Sequence, residues 1–228
     1  MLHSLPPSPL KPPMKMQSGK VAVTLFCLGS FVIYYFITLA ITWFPDYAAL
    51  RQQGLLVPVL CLFEFAVLWP LYRFYQTHRD DIPLGRLRLK PALLFIVLLL
   101  GLMAAQTLFL QPERWLEDQA HQTAFTLWVL LFSAVLLAPV FEEILFRGFL
   151  LQVFLLWAPR SRFAAILLTS LLFAAMHTQY IHWQTIVVLT LFSILLCYAR
   201  LRAGGLLLPV ALHMLNNLIA LLPSLWYV

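Results

Sequence analysis

The feature that most constrains this chain is a succession of apolar runs, each near the length of a bilayer's hydrocarbon core. A transmembrane helix needs about 20 predominantly apolar residues, and the first run to qualify is 21–44, "VAVTLFCLGSFVIYYFITLAITWF". It exceeds the roughly 7 to 15 apolar residues of a secretory signal core and so reads as a retained first span. Further runs follow at 55–75, 91–110, 124–157, 163–177, 184–199 and 205–222. With 62% hydrophobic and 11% charged residues and a mean hydropathy of +0.88, the bulk solvent is lipid. The expected fold class is all-α, a polytopic transmembrane helix bundle.

The run 124–157 is too long for a simple span. As one helix it would extend about 50 Å at 1.5 Å per residue, against about 30 Å of hydrocarbon. The positive-inside rule arbitrates. One crossing leaves Lys11, Lys15, Lys20, Arg73, Arg79, Arg86, Arg88, Lys90, Arg160, Arg162, Arg200 and Arg202 on the inner side, twelve residues, with only Arg51 and Arg114 outside. Two crossings would move the last four outward and leave eight against six. The expectation is therefore seven spans, N-terminus cytoplasmic and C-terminus external, with one long helix kinked at Pro139. Eight spans are the alternative.

The net charge of +6 resides mostly in short loops beside these spans, where insertion rules and anionic lipid explain it and no nucleic-acid partner is implied. Trp43, Trp115, Trp157, Trp183 and Trp226 lie near span ends, as interfacial anchors do. Cys27, Cys61 and Cys197 fall in different spans without CxxC spacing, which speaks against a disulfide framework and for core positions. The Pro-rich stretch within residues 1–20 reads as a disordered cytoplasmic tail, and no internal repeat or second soluble domain is evident.

Against this background the segment "APVFEEILFRGFL", 138–150, stands out. A charge at the bilayer centre costs about 2.5 to 3.5 kcal/mol on insertion scales, so intramembrane charges pair or mark a site. Glu143 and Arg147 are four apart, with the acid N-terminal, and should pair on one helical face. Glu142 is rotated by about 100° and lacks that partner. Two further polar positions sit on later apolar runs: His177, ending "FAAMH", and the pair His213 and Asn217 in "HMLNN", which share a face. A carboxylate, two imidazoles and a carboxamide are an inventory for moving protons and stabilising an oxyanion, or for holding a metal. Glu64, alone in the second run, is either a helix–helix hydrogen-bonding group or a site-lining residue. His3, His78, His121 and His182 lie in tails or loops and carry no assigned role.

The order EExxxR (Glu142 to Arg147), FxxxH (Phe173 to His177) and HxxxN (His213 to Asn217) resembles the CPBP intramembrane proteases, a family that includes the CAAX prenyl endopeptidases and bacterial relatives linked with bacteriocin processing and self-immunity. The flanks "TSLLFAAMH" and "ARLRAGGLLLPVALHMLNN" are similar too, and no motif position departs from the pattern. The resemblance implies a CAAX-protease-like core in 124–228, preceded by N-terminal spans and loops in 21–123. It implies a glutamate-dependent endopeptidase in which Glu142 and His177 activate water and His213 and Asn217 stabilise the oxyanion, with Glu143, Arg147 and Phe173 in support. No cofactor is expected. The alternative is a zinc ion on Glu142, His177 and His213, although HExxH is absent.

The substrate class that follows is a membrane-associated protein or peptide, cut within or near the bilayer, in an integral multi-pass protein of a bacterial inner membrane. Two other function classes remain open from sequence. One is a non-catalytic membrane scaffold or bacteriocin-immunity protein that keeps the polar network to hold its helices. The other is a proton-coupled transporter, which would favour repeats or broken helices in both halves.

Overall fold

The structure is a computed structural model, and it describes residues 14–114 and 123–222. The Pro-rich residues 1–13, together with Trp115, His121 and Trp226, lie outside the described residues. All regular structure among the described residues is helical: α1 Met14–Ala40, prolonged by a 3-10 turn at Ile41–Trp43, short α2 Tyr47–Gln52, α3 Leu56–His78 and α4 Leu89–Gln106. There follow α5 Ala124–Trp157, α6 Arg162–Ala175, α7 Trp183–Ala203 and α8 Leu207–Leu221.

Among the described residues five helical stretches are long and apolar enough to cross a membrane: Gly19–Trp43, α3, α4, α5 and α7. The other two expected spans are shorter than the apolar runs that announced them. At 14 and 15 residues, α6 and α8 reach only about 21 and 22 Å. Local chemistry sets their limits. His177, just beyond α6, turns its side chain back to the Phe173 carbonyl, an alternative to continuing the helical ladder. α8 starts only after Gly204, whose φ of 66° lies in the left-handed region that favours glycine.

α5 runs unbroken through all 34 residues, which agrees with a single crossing. Its length is accommodated by two π-helical stretches, Ser133–Leu137 and Ile144–Leu150, of the kind that recurs at functional sites. Pro139 follows the first of them. The proline has no N–H to offer the ladder, and the Ala138 N–H already reaches back five residues to the Ser133 carbonyl.

One end of the bundle carries the basic loops, and there it is sealed. From Ile144 to Leu151 every side chain of α5 is buried, with Phe146 and Phe149 edge-on to Phe31, Phe173 and Phe26. The connection between α3 and α4 closes the same end as a strap. Tyr72 donates its hydroxyl to the Ile82 carbonyl at 3.0 Å, and Leu206 and Leu207 donate their amides to Pro83 and Leu84. Gly85 and Gly205 meet so closely that a Cβ on Gly205 would run into the Gly85 backbone. The outer surface is apolar in the way lipid requires: on α4 only Phe95 and Leu99 are buried, while Leu93, Leu94, Val97, Leu98 and Leu100 are exposed. Trp43, Trp157 and Trp183 are exposed at helix ends, as anchors would be.

Candidate active site

The site is built outward from α5. Glu143 Oε1 accepts from Arg147 Nη1 at 2.9 Å, with both side chains fully buried, as their spacing predicts. The same oxygen accepts from His213 Nδ1 at 2.8 Å, which ties α8 to α5. Arg147 Nη2 donates to the Ser193 Oγ on α7 at 2.8 Å. Its guanidinium also lies 4.4 Å from the centre of the Phe173 ring on α6, a cation–π contact. One buried ion pair therefore fixes four helices. Ser193 and His213 stand 46 and 70 residues from their partners, so no local spacing could reveal those contacts.

Glu142 is left differently placed. Its Oε2 is buried without a hydrogen-bond partner, and His213 Nε2 is 3.8 Å away, beyond direct hydrogen-bond reach. Both histidines are held in a defined tautomer. His177 Nδ1 lies 2.7 Å from the Phe173 carbonyl; a carbonyl only accepts, so Nδ1 carries the hydrogen and Nε2 of the neutral ring keeps its lone pair. His213 Nδ1 faces a carboxylate and is held likewise. Phe173 thus contributes its carbonyl to one histidine and its ring to the packing of both, with centroids 4.5 Å from His177 and 5.9 Å from His213.

Asn217 answers the defect made by Pro139. In the five-residue register of Ser133–Leu137 the carbonyl after that of Ser133, on Ala134, would look to residue 139, which has no N–H. Asn217 Nδ2 donates to that Ala134 carbonyl at 2.8 Å, and Asn216 donates to Asn217 Oδ1 at 3.2 Å. The carboxamide nitrogen retains a second hydrogen.

Glu142, His177, His213 and Asn217 all line one cavity of about 180 Å³. Cys61, Gln179, Tyr180 and Asn216 line it as well; Cys61 reads from sequence only as core, and the other three carry no motif. Tyr180 stacks on His177 with centroids 6.2 Å apart. Glu64 does not line the cavity. Its Oε1 accepts from the Thr38 hydroxyl at 3.0 Å, which is the helix–helix role. The three cysteines are buried and free.

A second carboxylate holds the segment that carries His177, Gln179 and Tyr180. Glu113 is 3% exposed and accepts from the Ile181 amide at 3.0 Å, the His182 amide at 3.2 Å and the Thr185 hydroxyl. It caps the N-terminus of α7 from a distant loop, where anionic groups are favoured. Burial works to raise its pKa, but the hydroxyl of Thr185 and the two amides outweigh that and hold the carboxyl below its ordinary value. Nothing in the local sequence of Glu113 announces this role.

A catalytic zinc needs about three convergent protein ligands and an open position. Among the described residues no three His, Cys, Asp or Glu side chains are arranged to hold a metal ion. Glu142 Oε2 and His213 Nε2 are 3.8 Å apart, and the steps that follow use these side chains and His177 without a metal.

Comparison with known proteins bears on this part of the chain. An uncharacterised 24.3 kDa protein of Escherichia coli is 45% identical over 97 residues, which span 40% of this chain and 42% of that relative. No solved structure matches. A family model described as type II CAAX prenyl endopeptidase Rce1-like matches residues 124–219, the stretch from the start of α5 nearly to the end of α8 that contains all four cavity-lining polar groups of the three motifs. The likeness to the Rce1-like type II CAAX prenyl endopeptidases is confined to this segment, and the chain spans less than half the length of the curated relative it matches.

Proposed function

We propose that this chain is an intramembrane endopeptidase that hydrolyses a peptide bond in a membrane-associated protein or peptide, in a bacterial inner membrane. The observation that carries this reading is the buried, unpartnered Glu142 Oε2 in a cavity shared with His177, His213 and Asn217. A water held between Glu142 and the His177 Nε2 lone pair gives up a proton as its oxygen attacks the scissile carbonyl. The proton then passes to the leaving amine. Asn217 offers its second amide hydrogen to the developing oxyanion. For His213 to do the same, the ring must be protonated on both nitrogens, with Glu143 holding the Nδ1 hydrogen and orienting Nε2 for that donation.

A second reading has an observation of its own. The Glu143–Arg147 pair with Ser193, Phe173 and His213 links four helices, as a non-catalytic scaffold or immunity protein would also require. Comparative mapping of new protein termini separates the two. Termini that appear in membranes carrying the wild type and vanish with Glu142→Gln support the protease. A cellular phenotype that survives Glu142→Gln, with no change in any terminus, supports the scaffold. Turnover by the purified protein is expected to survive chelators; zinc-restorable loss would contradict the metal-free mechanism.

A further inference from the structure

Resting on the protease reading, we infer that Glu113 is a positioning residue for the reaction: from outside the matched segment 124–219, it fixes the orientation of the His177 ring through Tyr180. The chain of contacts from one to the other is continuous. His177 lies in the stretch 176–182, which joins α6 to α7 without helical structure. At the α6 end the ring is set by Phe173, whose carbonyl takes the Nδ1 hydrogen at 2.7 Å and whose own ring lies 4.5 Å away. Tyr180 stacks on the same imidazole 17° from parallel, and donates its amide to the His177 carbonyl at 3.3 Å. Tyr180 keeps that position only while Ile181 and His182, which follow it, keep theirs.

α7 does not hold those two residues by itself. The first amides of a helix lack intrahelical partners, and His182, at the cap position, makes no capping bond with its own side chain. Glu113 supplies the missing acceptor. Its Oε2 accepts from the Ile181 amide, and its Oε1 from the His182 amide and the Thr185 hydroxyl. His182 Nε2 adds a second tie by donating to the Pro112 carbonyl at 3.2 Å, since a carbonyl only accepts. Both Glu113 oxygens are thereby spent on the two residues after Tyr180 and on the first turn of α7. The stretch that carries His177 is pinned at both ends, by Phe173 on α6 and by Glu113 from the loop after α4. A cap elsewhere on α7 would act on stability alone. This one holds the residues next to the ring that stacks on His177, and a misplacement of about 1 Å costs about 10²-fold in rate where geometry sets the step.

The test uses the full chain purified in detergent, with isotope-labelled histidine rings read by NMR and the His177 signal identified by its loss in His177→Asn. Turnover is measured on the protein whose termini vanish in Glu142→Gln membranes. The wild type should show His177 fixed as the Nδ1–H tautomer. Glu113→Ala should give an averaged His177 signal and a kcat lower by about 10²-fold, with KM little changed. Thr185→Val, which removes one of the three bonds to Glu113, should shift both readouts in the same direction by less. It carries the test if Glu113→Ala does not accumulate. Tyr72→Phe, which cuts the contact to the Ile82 carbonyl at the strap, should lower the melting temperature without moving either readout. Unchanged kcat in a folded Glu113 variant would overturn the inference. So would a fallen kcat with the His177 signal unaltered, because Glu113 would then act by another route. If the wild type cleaves nothing, the protease reading falls and the catalytic role of Glu113 with it, while the His177 signal still decides whether Glu113 orients the ring.

Discussion

At the residue scale, three carboxylates within one fold do different work because their neighbours differ. Glu143 spends Oε1 on Arg147 and His213 and keeps an unpartnered Oε2 outside the cavity lining, Glu64 takes a hydroxyl from Thr38, and Glu142 brings its unpartnered Oε2 to the cavity. Arg147→Ala leaves the buried Glu143 charge uncompensated, a loss of about 3 to 5 kcal/mol. It should fail to accumulate or melt well below the wild type in detergent, and a wild-type melt with activity lost would assign Arg147 to catalysis instead. Asn217→Ala removes a donor from the Ala134 carbonyl and, under the proposed mechanism, from the oxyanion as well. We expect kcat to fall by about 10² to 10³-fold with KM little changed; unchanged kcat would exclude Asn217 from the oxyanion contacts.

At the scale of elements, the apolar runs marked where helices lie but not how they end. α6 and α8 stop short through a side-chain contact at His177 and the Gly204–Gly205 turn. The two π-helical stretches of α5 are shifts of backbone register, the first just before Pro139, which a hydropathy window does not resolve. The Glu113 clamp was equally hidden, because its partners at Ile181, His182 and Thr185 are 68 to 72 residues away. Since the folded carboxyl titrates below its ordinary value, the clamp contributes fully above the unfolded pKa of about 4.3 and is lost as pH falls through the lower folded value. Hydrogen exchange should therefore show the Ile181 and His182 amides protected at neutral pH and released in acid. In Glu113→Ala they should lack that protection at neutral pH as well. Equal protection in wild type and variant would contradict the clamp.

At the scale of the whole molecule, the bundle and the convergence of the motif residues were legible because lipid makes charge expensive: the few polar residues on apolar runs had to meet, and Glu142, His177, His213 and Asn217 do line one cavity. The partnerships inside the site were less legible, since Ser193, Tyr180 and the Ala134 carbonyl carry no motif and reach the site only through tertiary packing. The central claim is that Glu142 takes the proton of the attacking water. Gln preserves its shape and hydrogen-bonding capacity but does not accept that proton. The most direct test is single-turnover cleavage, by purified wild type and Glu142→Gln, of the protein whose termini identify it as the substrate, with melting and substrate binding measured on the same samples. The account predicts abolished cleavage with melting and binding intact, and near-normal turnover by Glu142→Gln would contradict it.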